Sequence, residues 1–114
     1  MKKEDIEAII KNKENQEVEF KQGCPANHEI SQMICAFANT EGGLFIMGVS
    51  EKGQIKGVSC DLDKLQRDIS NANQEIHSPP IVSTKIFDFD SKKVVVIKIE
   101  RANDKNAHTY KGAV

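Results

Sequence analysis

An apolar run between glycines places the strongest constraint on the fold of this chain. The run Leu44-Phe45-Ile46-Met47-Gly48-Val49 directly follows Gly42-Gly43 and carries no charged side chain. A continuous apolar segment of this length suits a strand that is covered on both faces. The sequence therefore predicts a central strand over Leu44–Val49, with other elements packed on either side of it.

Two shorter patterns precede this run. Residues 17–21 alternate, so Val18 and Phe20 are predicted to face the core, while Glu17, Glu19 and Lys21 line the other face of a half-buried strand. Isoleucines recur at helical spacing within Lys3–Lys11, and acidic residues occupy the first turn, where negative charge suits the helix dipole. This segment predicts a short amphipathic helix.

A second helix is predicted between the two strands. Gly23-Cys24-Pro25-Ala26-Asn27 is typical of a turn that ends in an N-cap, for which we expect Asn27. Ile30, Met33, Ile34, Phe37 and Ala38 then follow at helical spacing. We expect the helix to end at Thr40-Glu41-Gly42-Gly43, because glycine adopts the left-handed C-cap conformation without steric cost.

The second half of the chain predicts four further segments. Ile55–Val58 is short enough to pair back as a hairpin strand, and a helix capped near Ser59 or Asp61 extends to Ile76 before Ser78-Pro79-Pro80 breaks it. Two β-rich runs, Ile81–Asp88 and Lys93–Glu100, predict an antiparallel hairpin with a turn at Phe89–Lys92. The polar tail 101–114 is expected to be loop or frayed end.

This order of elements predicts an α/β (α+β) two-layer sandwich, in which a mixed sheet carries its helices mainly on one face. A length of 114 residues fits one domain, with a core over about residues 6–100 and a tail over 101–114. An apolar fraction of 39% and a charged fraction of 29% are ordinary for a folded globular chain.

Charge and cysteine content narrow the function classes. The formal net charge of −1 provides no overall excess of basic residues for binding phosphates, although the C-terminal third is positive. The run of apolar residues is too short to span a membrane. Cys24, Cys35 and Cys60 are odd in number and form no C-x-x-C pair, so we expect reduced thiols and a cytoplasmic location.

Three motifs in this order resemble one family. They are Glu14-Asn15-Gln16-Glu17-Val18-Glu19-Phe20-Lys21, then Ala36-Phe37-Ala38-Asn39-Thr40-Glu41-Gly42-Gly43, and then Phe45-Ile46-Met47-Gly48-Val49. They resemble the E-x-x-x-x-E-F-K, A-F-A-N-T-x-G-G and I-G-V signatures of the AlbA_2 domain of Schlafen proteins, formerly grouped with divergent ATPases. The resemblance implies an AlbA-like fold and a DNA-binding or RNA-binding role.

The resemblance also implies a wider context. AlbA_2 domains often stand at the N-terminus of longer transcriptional regulators, and they usually continue with a strand after an aromatic residue and a glycine. Tyr110-Lys111-Gly112 reaches that point, so we expect further domains in the complete protein. An ATPase role is disfavoured because the sequence contains no G-x-x-x-x-G-K-[ST] phosphate loop.

For members that cleave nucleic acid, the resemblance implies a carboxylate cluster that holds Mg²⁺ or Mn²⁺. Glu14 and Glu19 match its two glutamates, but Ser50 stands where an aspartate often follows I-G-V, and Glu51 is the nearest substitute. Several oxygen ligands are needed to hold such a cation. We therefore favour solvated glutamates paired with Lys21 and no bound cofactor, and keep a metal-dependent nuclease as the alternative.

The predicted nucleic-acid contacts are basic residues near turns and strand ends: Lys21, Lys52, Lys56, Lys92, Lys93 and Arg101. Lysine provides a point charge for a phosphate group. The competing interpretation is that Lys92 and Lys93 only make a soluble turn. Asn39, Gly42 and Gly43 are interpreted as structural residues of the helix-to-strand turn.

Two further alternatives remain open from the sequence. Cys24 and His28 lie four residues apart, but no second paired motif accompanies them, so a zinc site is disfavoured. An exposed edge of the C-terminal hairpin could instead pair with a second copy and form a homodimer, because unpaired strand edges readily accept another strand.

Overall fold

The computed structural model describes residues 1–12, 14–15, 17–77, 79–101 and the backbone of 109–110. Its elements, in chain order, are α1 Lys3–Asn12, β1 Val18–Lys21, α2 Asn27–Ala38, β2 Gly42–Met47, α3 Leu62–Gln74, β3 Ile76–His77, β4 Val82–Phe89, β5 Lys92–Glu100 and β6 Thr109–Tyr110. No helix in these ranges is long and apolar enough to cross a lipid bilayer.

Four strands form the main sheet in the order β1-β2-β5-β4. β1 runs parallel to β2, with Val18 opposite Leu44, while β5 is antiparallel to both of its neighbours. The apolar run after Gly43 therefore lies in the interior of a mixed sheet, as predicted. β3 and β6 form a separate two-stranded sheet.

Helices cover the two faces of the main sheet unequally. α2 and α3 pack on one face, where Ile34, Phe37 and Leu65 join Phe45 and Ile97 in one buried cluster. α1 covers part of the other face through Ile6 and Ile10, which join a second cluster. Val18 and Phe20 point into that second cluster with 7% and 6% of their surfaces exposed. The predicted α+β sandwich, with helices mainly on one face, is confirmed.

The ends of α2 differ from the prediction. Ala26, rather than Asn27, precedes the first helical residue, and its N–H donates to the Glu29 carboxylate at 3.4 Å. At the other end Asn39 occupies the C-cap with φ −85°, so the predicted glycine cap is wrong. Gly42, with φ 85°, begins β2 instead. The chain thus turns from helix to strand within residues 39–41.

The segments after β2 combine confirmed and corrected predictions. Asp61 caps α3, accepting from the N–H groups of Asp63 and Lys64 at 3.0 and 3.2 Å. The predicted strand Ile55–Val58 is reduced to an isolated bridge between Ile55 and Val49.

The region after α3 also departs from the sequence prediction. α3 ends at Gln74, and Ile76 lies in β3, where it is fully buried, rather than in the helix. The tail is not wholly loop, because β6 pairs antiparallel with β3. Residues 102–108 and 111–114 lie outside the described residues.

The C-terminal hairpin is confirmed. β4 and β5 pair from Val82 opposite Ile99 to Phe89 opposite Lys92. Asp90 and Ser91 join them with φ values of 52° and 69°. Positive φ at both central residues is the two-residue turn whose twist matches that of the flanking strands.

The prediction that all three cysteines are reduced is wrong. Cys24 and Cys60 form a disulfide with their Cα atoms 6.5 Å apart, and Cys35 is the free thiol. The two bonded residues are 36 positions apart in sequence, so no local spacing indicated the pair. The fold brings them together by placing the β1–α2 loop beside the segment that enters α3. The disfavoured zinc pairing of Cys24 with His28 is excluded in this state, because the Cys24 sulfur is bonded to Cys60.

Candidate functional site

A groove opens at the end of the main sheet where β1 and β2 stop. Its volume is about 590 Å³, and we call it the lysine groove. One wall is formed by the end of β1 and the residues after it, and the other by the segment that follows β2. The lining residues are Phe20, Lys21, Gln22, Gly23, Ser50, Glu51, Lys52, Gln54 and Lys56. Three of the six predicted cationic contacts therefore meet in one place.

The parallel pairing of β1 with β2 explains why these walls meet. Parallel strands end on the same side of a sheet, so the loops that follow them are neighbours. The N–H of Gly48 extends the pairing by donating to the carbonyl of Lys21 at 2.7 Å. Residues that follow the two strands are consequently held close together, although they are far apart in sequence.

Ser50 organises the wall that follows β2. It is 8% exposed, and its hydroxyl oxygen accepts from the N–H of Gln54 at 3.1 Å. Its own N–H donates to the Gln54 carbonyl at 2.9 Å, and Gly53 closes the turn with φ 81°. Ser50 thus supports a tight turn that exposes Glu51 and Lys52 to solvent.

The cations of the groove differ in their pairing. Lys52 and Lys56 are exposed, and neither has an ion-pair partner among the described residues. Lys21 pairs with Glu29 at 3.1 Å, and this contact, with the Ala26 N–H, lowers the pKa of the Glu29 carboxyl. Glu51 places one exposed negative charge on the same wall.

The turn of the β4–β5 hairpin adjoins the groove. A side chain at Gly57 would come within 3.0 Å of the Lys92 Cβ, and the N–H of Val58 donates to the Lys93 carbonyl at 2.9 Å. Lys93 forms an ion pair with Asp88; that hydrogen bond and the Ser91 N–H lower the Asp88 pKa. Lys92 is exposed and has no ion-pair partner in the described part of the chain. Lys92 and Lys93 therefore lie at the groove end of the sheet.

Arg101 lies at the opposite end of the sheet. It follows β5 and pairs with Glu41 at 3.1 Å, and both side chains are largely exposed. This end also contains Gly42 and Gly43 and a second recess of about 650 Å³. The structure thus separates Arg101 from the other five predicted cationic contacts.

Gly42 and Gly43 allow close packing at that end. A Cβ on Gly42 would lie 2.6 Å from the Ile99 carbonyl oxygen. A Cβ on Gly43 would lie 2.5 Å from the Phe37 ring and 2.6 Å from the Glu17 carbonyl oxygen. Both positions therefore have a packing reason to be glycine. Asn39, the third residue of this motif, is exposed at the C-cap of α2.

Two of the predicted carboxylates lie near each other on the open edge of β1. The Phe20 N–H, which points away from β2, donates to Glu14 at 3.2 Å. Burial raises the pKa of the Glu19 carboxyl, the charge of Glu14 raises it further, and Lys21 lowers it. Glu51 lies in the groove wall instead. The described residues include no group of three His, Cys, Asp or Glu side chains arranged to hold a metal ion.

The sequence predicted Lys21, Lys52 and Lys56 as separate contacts but did not indicate that they meet in one groove. The predicted order of strand, helix and strand did carry a signal for this convergence. A helical crossover joins parallel strands, and the loops that follow parallel strands lie at the same end of the sheet. The disulfide beside the groove gave no comparable signal.

Comparison with known proteins supports the fold and the family. The chain resembles the N-terminal domain of a RecG-related protein, described by its relation to ATP-dependent DNA helicases, from Nitrosomonas europaea. The TM-score is 0.62 at 21% identity, over 88% of this chain and 71% of that one. It also resembles the DIP2311 protein of Corynebacterium diphtheriae, with TM-score 0.58 and 21% identity over 94% of this chain.

The chain spans only 23% of the length of the Corynebacterium protein. The Schlafen AlbA_2 family matches residues 14–114, which include all three sequence motifs and both walls of the lysine groove. On this match, the chain belongs to the Schlafen AlbA_2 family.

Proposed function

We propose that this domain binds nucleic acid by holding the phosphate backbone in the lysine groove. The observation that carries the proposal is that Lys52 and Lys56 are exposed on one wall without ion-pair partners in the described part of the chain, while Lys21, paired with Glu29, lines the other wall. Lys92 extends this positive surface at the adjoining turn. Local charge of this kind matters more for phosphate binding than a net charge of −1.

The family assignment and the fold are consistent with this role. The Nitrosomonas neighbour is described in relation to a DNA helicase, which adds a nucleic-acid context. We further propose that the domain serves a longer regulator of transcription, in which it contributes nucleic-acid affinity and other domains contribute the response. DNA and RNA share the phosphate chemistry on which the groove would act.

The mode of binding follows from the chemistry of the groove walls. Lysine ammonium groups contact phosphates as point charges and carry little base information. Phe20 borders the groove but is buried in the core, so its ring is not available for stacking on a base. We therefore expect sequence-independent binding. Two or three phosphate contacts should give a salt slope of about −2 to −3 in log K against log salt on a duplex.

The test compares two double charge reversals with equal change in net charge. Lys52→Glu with Lys56→Glu alters the groove, and Lys64→Glu with Lys98→Glu alters exposed positions that do not line it. Fluorescence anisotropy with mixed-sequence single-stranded DNA, duplex DNA and RNA measures affinity between 50 and 200 mM salt, roughly the range in which phosphate contacts are lost.

We expect the groove variant to bind at least about tenfold more weakly than wild type, because two phosphate contacts are replaced by repulsion. The control variant should stay within about threefold of wild type at the higher salt concentration, where remote charges are screened. Equal losses in both variants, or a wild-type affinity that does not fall with salt, would contradict the proposal.

A second candidate function rests on Glu14 and Glu19. Their charges interact, and the pKa of Glu19 is raised in part by Glu14, as expected for carboxylates that share a site. A divalent cation would relieve this repulsion. Mg²⁺ or Mn²⁺ held there would then support cleavage of a phosphodiester by activating water, with water and the phosphate oxygens of the substrate supplying the further ligands.

The nuclease candidate is tested by incubating wild type and Glu19→Gln with structured RNA and single-stranded DNA, with Mn²⁺ or with a chelator. Cleavage that requires Mn²⁺ and disappears in Glu19→Gln would support it. Uncut substrate with the wild-type protein would leave phosphate binding as the function of the domain.

A further inference from the structure

The Cys24–Cys60 disulfide stands directly beside the lysine groove. Cys24 follows Gly23, the last residue of the first wall, and Cys60 ends the segment that begins with Lys56 on the second wall. The bond therefore joins the continuations of both walls. No other covalent link could connect them, since the third cysteine, Cys35, is free.

Non-covalent contacts hold the two continuations unequally. The second is anchored to the sheet, because Lys56 and Gly57 donate to the Gly48 carbonyl at 2.7 and 2.9 Å and Val58 donates to Lys93. The first belongs to neither a helix nor a strand, and a side chain on Gly23 would meet nothing within 4 Å. The loop after β1 is therefore held at its ends by β1 and α2, and the disulfide is the covalent tie between its middle, at Cys24, and the second wall.

The two sulfur-bearing residues also differ in access. Cys24 is exposed and Cys60 is half-buried, so a reagent in solution has more access to Cys24 than to Cys60. We propose that this disulfide is a site of thiol–disulfide exchange with dithiol reductants, and that its reduction releases the loop part of the first wall, residues 22–24 beside Lys21, and weakens phosphate binding in the groove. The effect on binding rests on the function proposed above, whereas the release of the wall does not.

The atoms and electrons of the exchange balance between the protein disulfide and the dithiol reductant. A thiolate of the dithiol attacks the Cys24 sulfur, the Cys24–Cys60 bond breaks, and Cys60 leaves as a thiolate that takes a proton. The second thiolate of the reductant then attacks its own sulfur in the mixed disulfide and releases Cys24, which is protonated in turn. The reductant becomes a cyclic disulfide, and two electrons and two protons reach the protein.

The free thiol is poorly suited to compete in this exchange. Cys35 lies half-buried on α2, and burial raises the pKa of its thiol. A protonated thiol is a weak nucleophile, so Cys35 does not readily attack the disulfide. Cys35→Ser therefore provides a matched control that removes a sulfur without touching the groove.

The binding experiment uses the whole chain in its oxidised form, after reduction by dithiothreitol, and after reoxidation. Wild type, Cys35→Ser and the double variant Cys24→Ser with Cys60→Ser are titrated with the same mixed-sequence oligonucleotide. If about one tenth of the reduced molecules keep the groove formed, affinity falls about tenfold. We expect this loss in reduced wild type and Cys35→Ser, full recovery on reoxidation, and a constant weak affinity in the double variant.

Hydrogen exchange measured on oxidised and reduced Cys35→Ser provides a second readout that needs no ligand. Faster exchange on reduction in residues 22–26, with the anchored residues 56–58 unchanged, supports release of the loop part of the first wall. Unchanged exchange in residues 22–26 overturns the inference whatever the binding data show. Equal affinities of the oxidised and reduced protein overturn its coupling to binding. A failure of the oxidised protein to bind overturns the proposed function instead, while exchange still decides whether reduction opens the groove.

Discussion

At the scale of single residues, packing rather than a backbone angle requires glycine at position 43. Its missing Cβ makes room for the Phe37 ring from α2 and for the Glu17 carbonyl directly before β1. Three elements thus meet at one backbone position. Gly23 offers the opposite case, because a Cβ there would contact nothing within 4 Å.

We predict that Gly43→Ala lowers the free energy of unfolding by about 1–3 kcal/mol, because overpacking forces the neighbours of the new methyl group to move. Gly23→Ala should change it by less than about 0.5 kcal/mol. Urea denaturation of both variants measures the difference. Similar values for the two variants would show that the close approach at Gly43 is relieved without cost.

The raised pKa of Glu19 predicts the direction in which the stability of the fold changes with pH. Burial and the Glu14 charge raise its pKa in the folded state, so folding opposes its ionisation. This contribution favours the folded state at acidic pH and is lost as the pH rises through the raised pKa. At neutral pH the ionised Glu19 therefore slightly lowers the free energy of unfolding.

Glu19→Gln should accordingly raise the free energy of unfolding at pH 7 by about 0.5 kcal/mol, a magnitude ordinary for a partly exposed position. The gain should vanish near pH 3, where the glutamate is protonated in both states. Thermal melts at the two pH values measure it, and Glu17→Gln, an exposed neighbour, is the control. A gain that persists at pH 3 would point to packing rather than charge.

At the scale of elements, α3 begins at a well-defined cap next to the disulfide. Asp61 accepts two backbone hydrogen bonds from the first turn, directly after Cys60. We predict that Asp61→Ala lowers the free energy of unfolding by about 1 kcal/mol, whereas Asp61→Asn, which retains a capping oxygen, has a smaller effect. Urea titration at pH 7 provides the measurement. Equal losses would assign the effect to charge instead of capping.

Elements with strong local patterns were predictable from the sequence. The interior strand, the β4–β5 hairpin and the cap at Asp61 each rest on signals within a few residues. The misplaced end of α3 has a tertiary cause: Ile76 fits the helical period, but its burial in β3 ends α3 early. The start of α2 differs for a local reason, because the Glu29 carboxylate accepts from the Ala26 N–H and the helix begins directly after Ala26.

The candidate site was predictable only in part for a related reason. Sequence alone identified Lys21, Lys52 and Lys56, but their meeting in one groove depends on the pairing of β1 with β2. Arg101 belongs to the same charge pattern, yet the direction of β5 places it at the other end of the sheet. The disulfide could not be predicted because it joins two irregular segments.

At the scale of the whole molecule, the disulfide contributes to global stability. It links residues separated by 36 positions, and closing a loop of that length restricts the unfolded chain. We predict that reduction lowers the free energy of unfolding by about 3–4 kcal/mol. Urea denaturation of Cys35→Ser with and without dithiothreitol measures it. A loss below about 1 kcal/mol would mean that the unfolded chain is already compact around these segments.

The two outer edges of the main sheet, β1 and β4, differ in how well they can accept another strand. Along β1, Asn15 pairs with the N–H and carbonyl of Val18, and the Glu14 carboxylate accepts from the outward N–H of Phe20. β4 is the other terminal strand, so a second copy would add most readily there. If the β4 strands of two copies paired antiparallel, a twofold axis perpendicular to the sheet would relate the copies. Such a dyad would turn the two lysine grooves to face in opposite directions, so a short straight duplex could occupy one of them at a time.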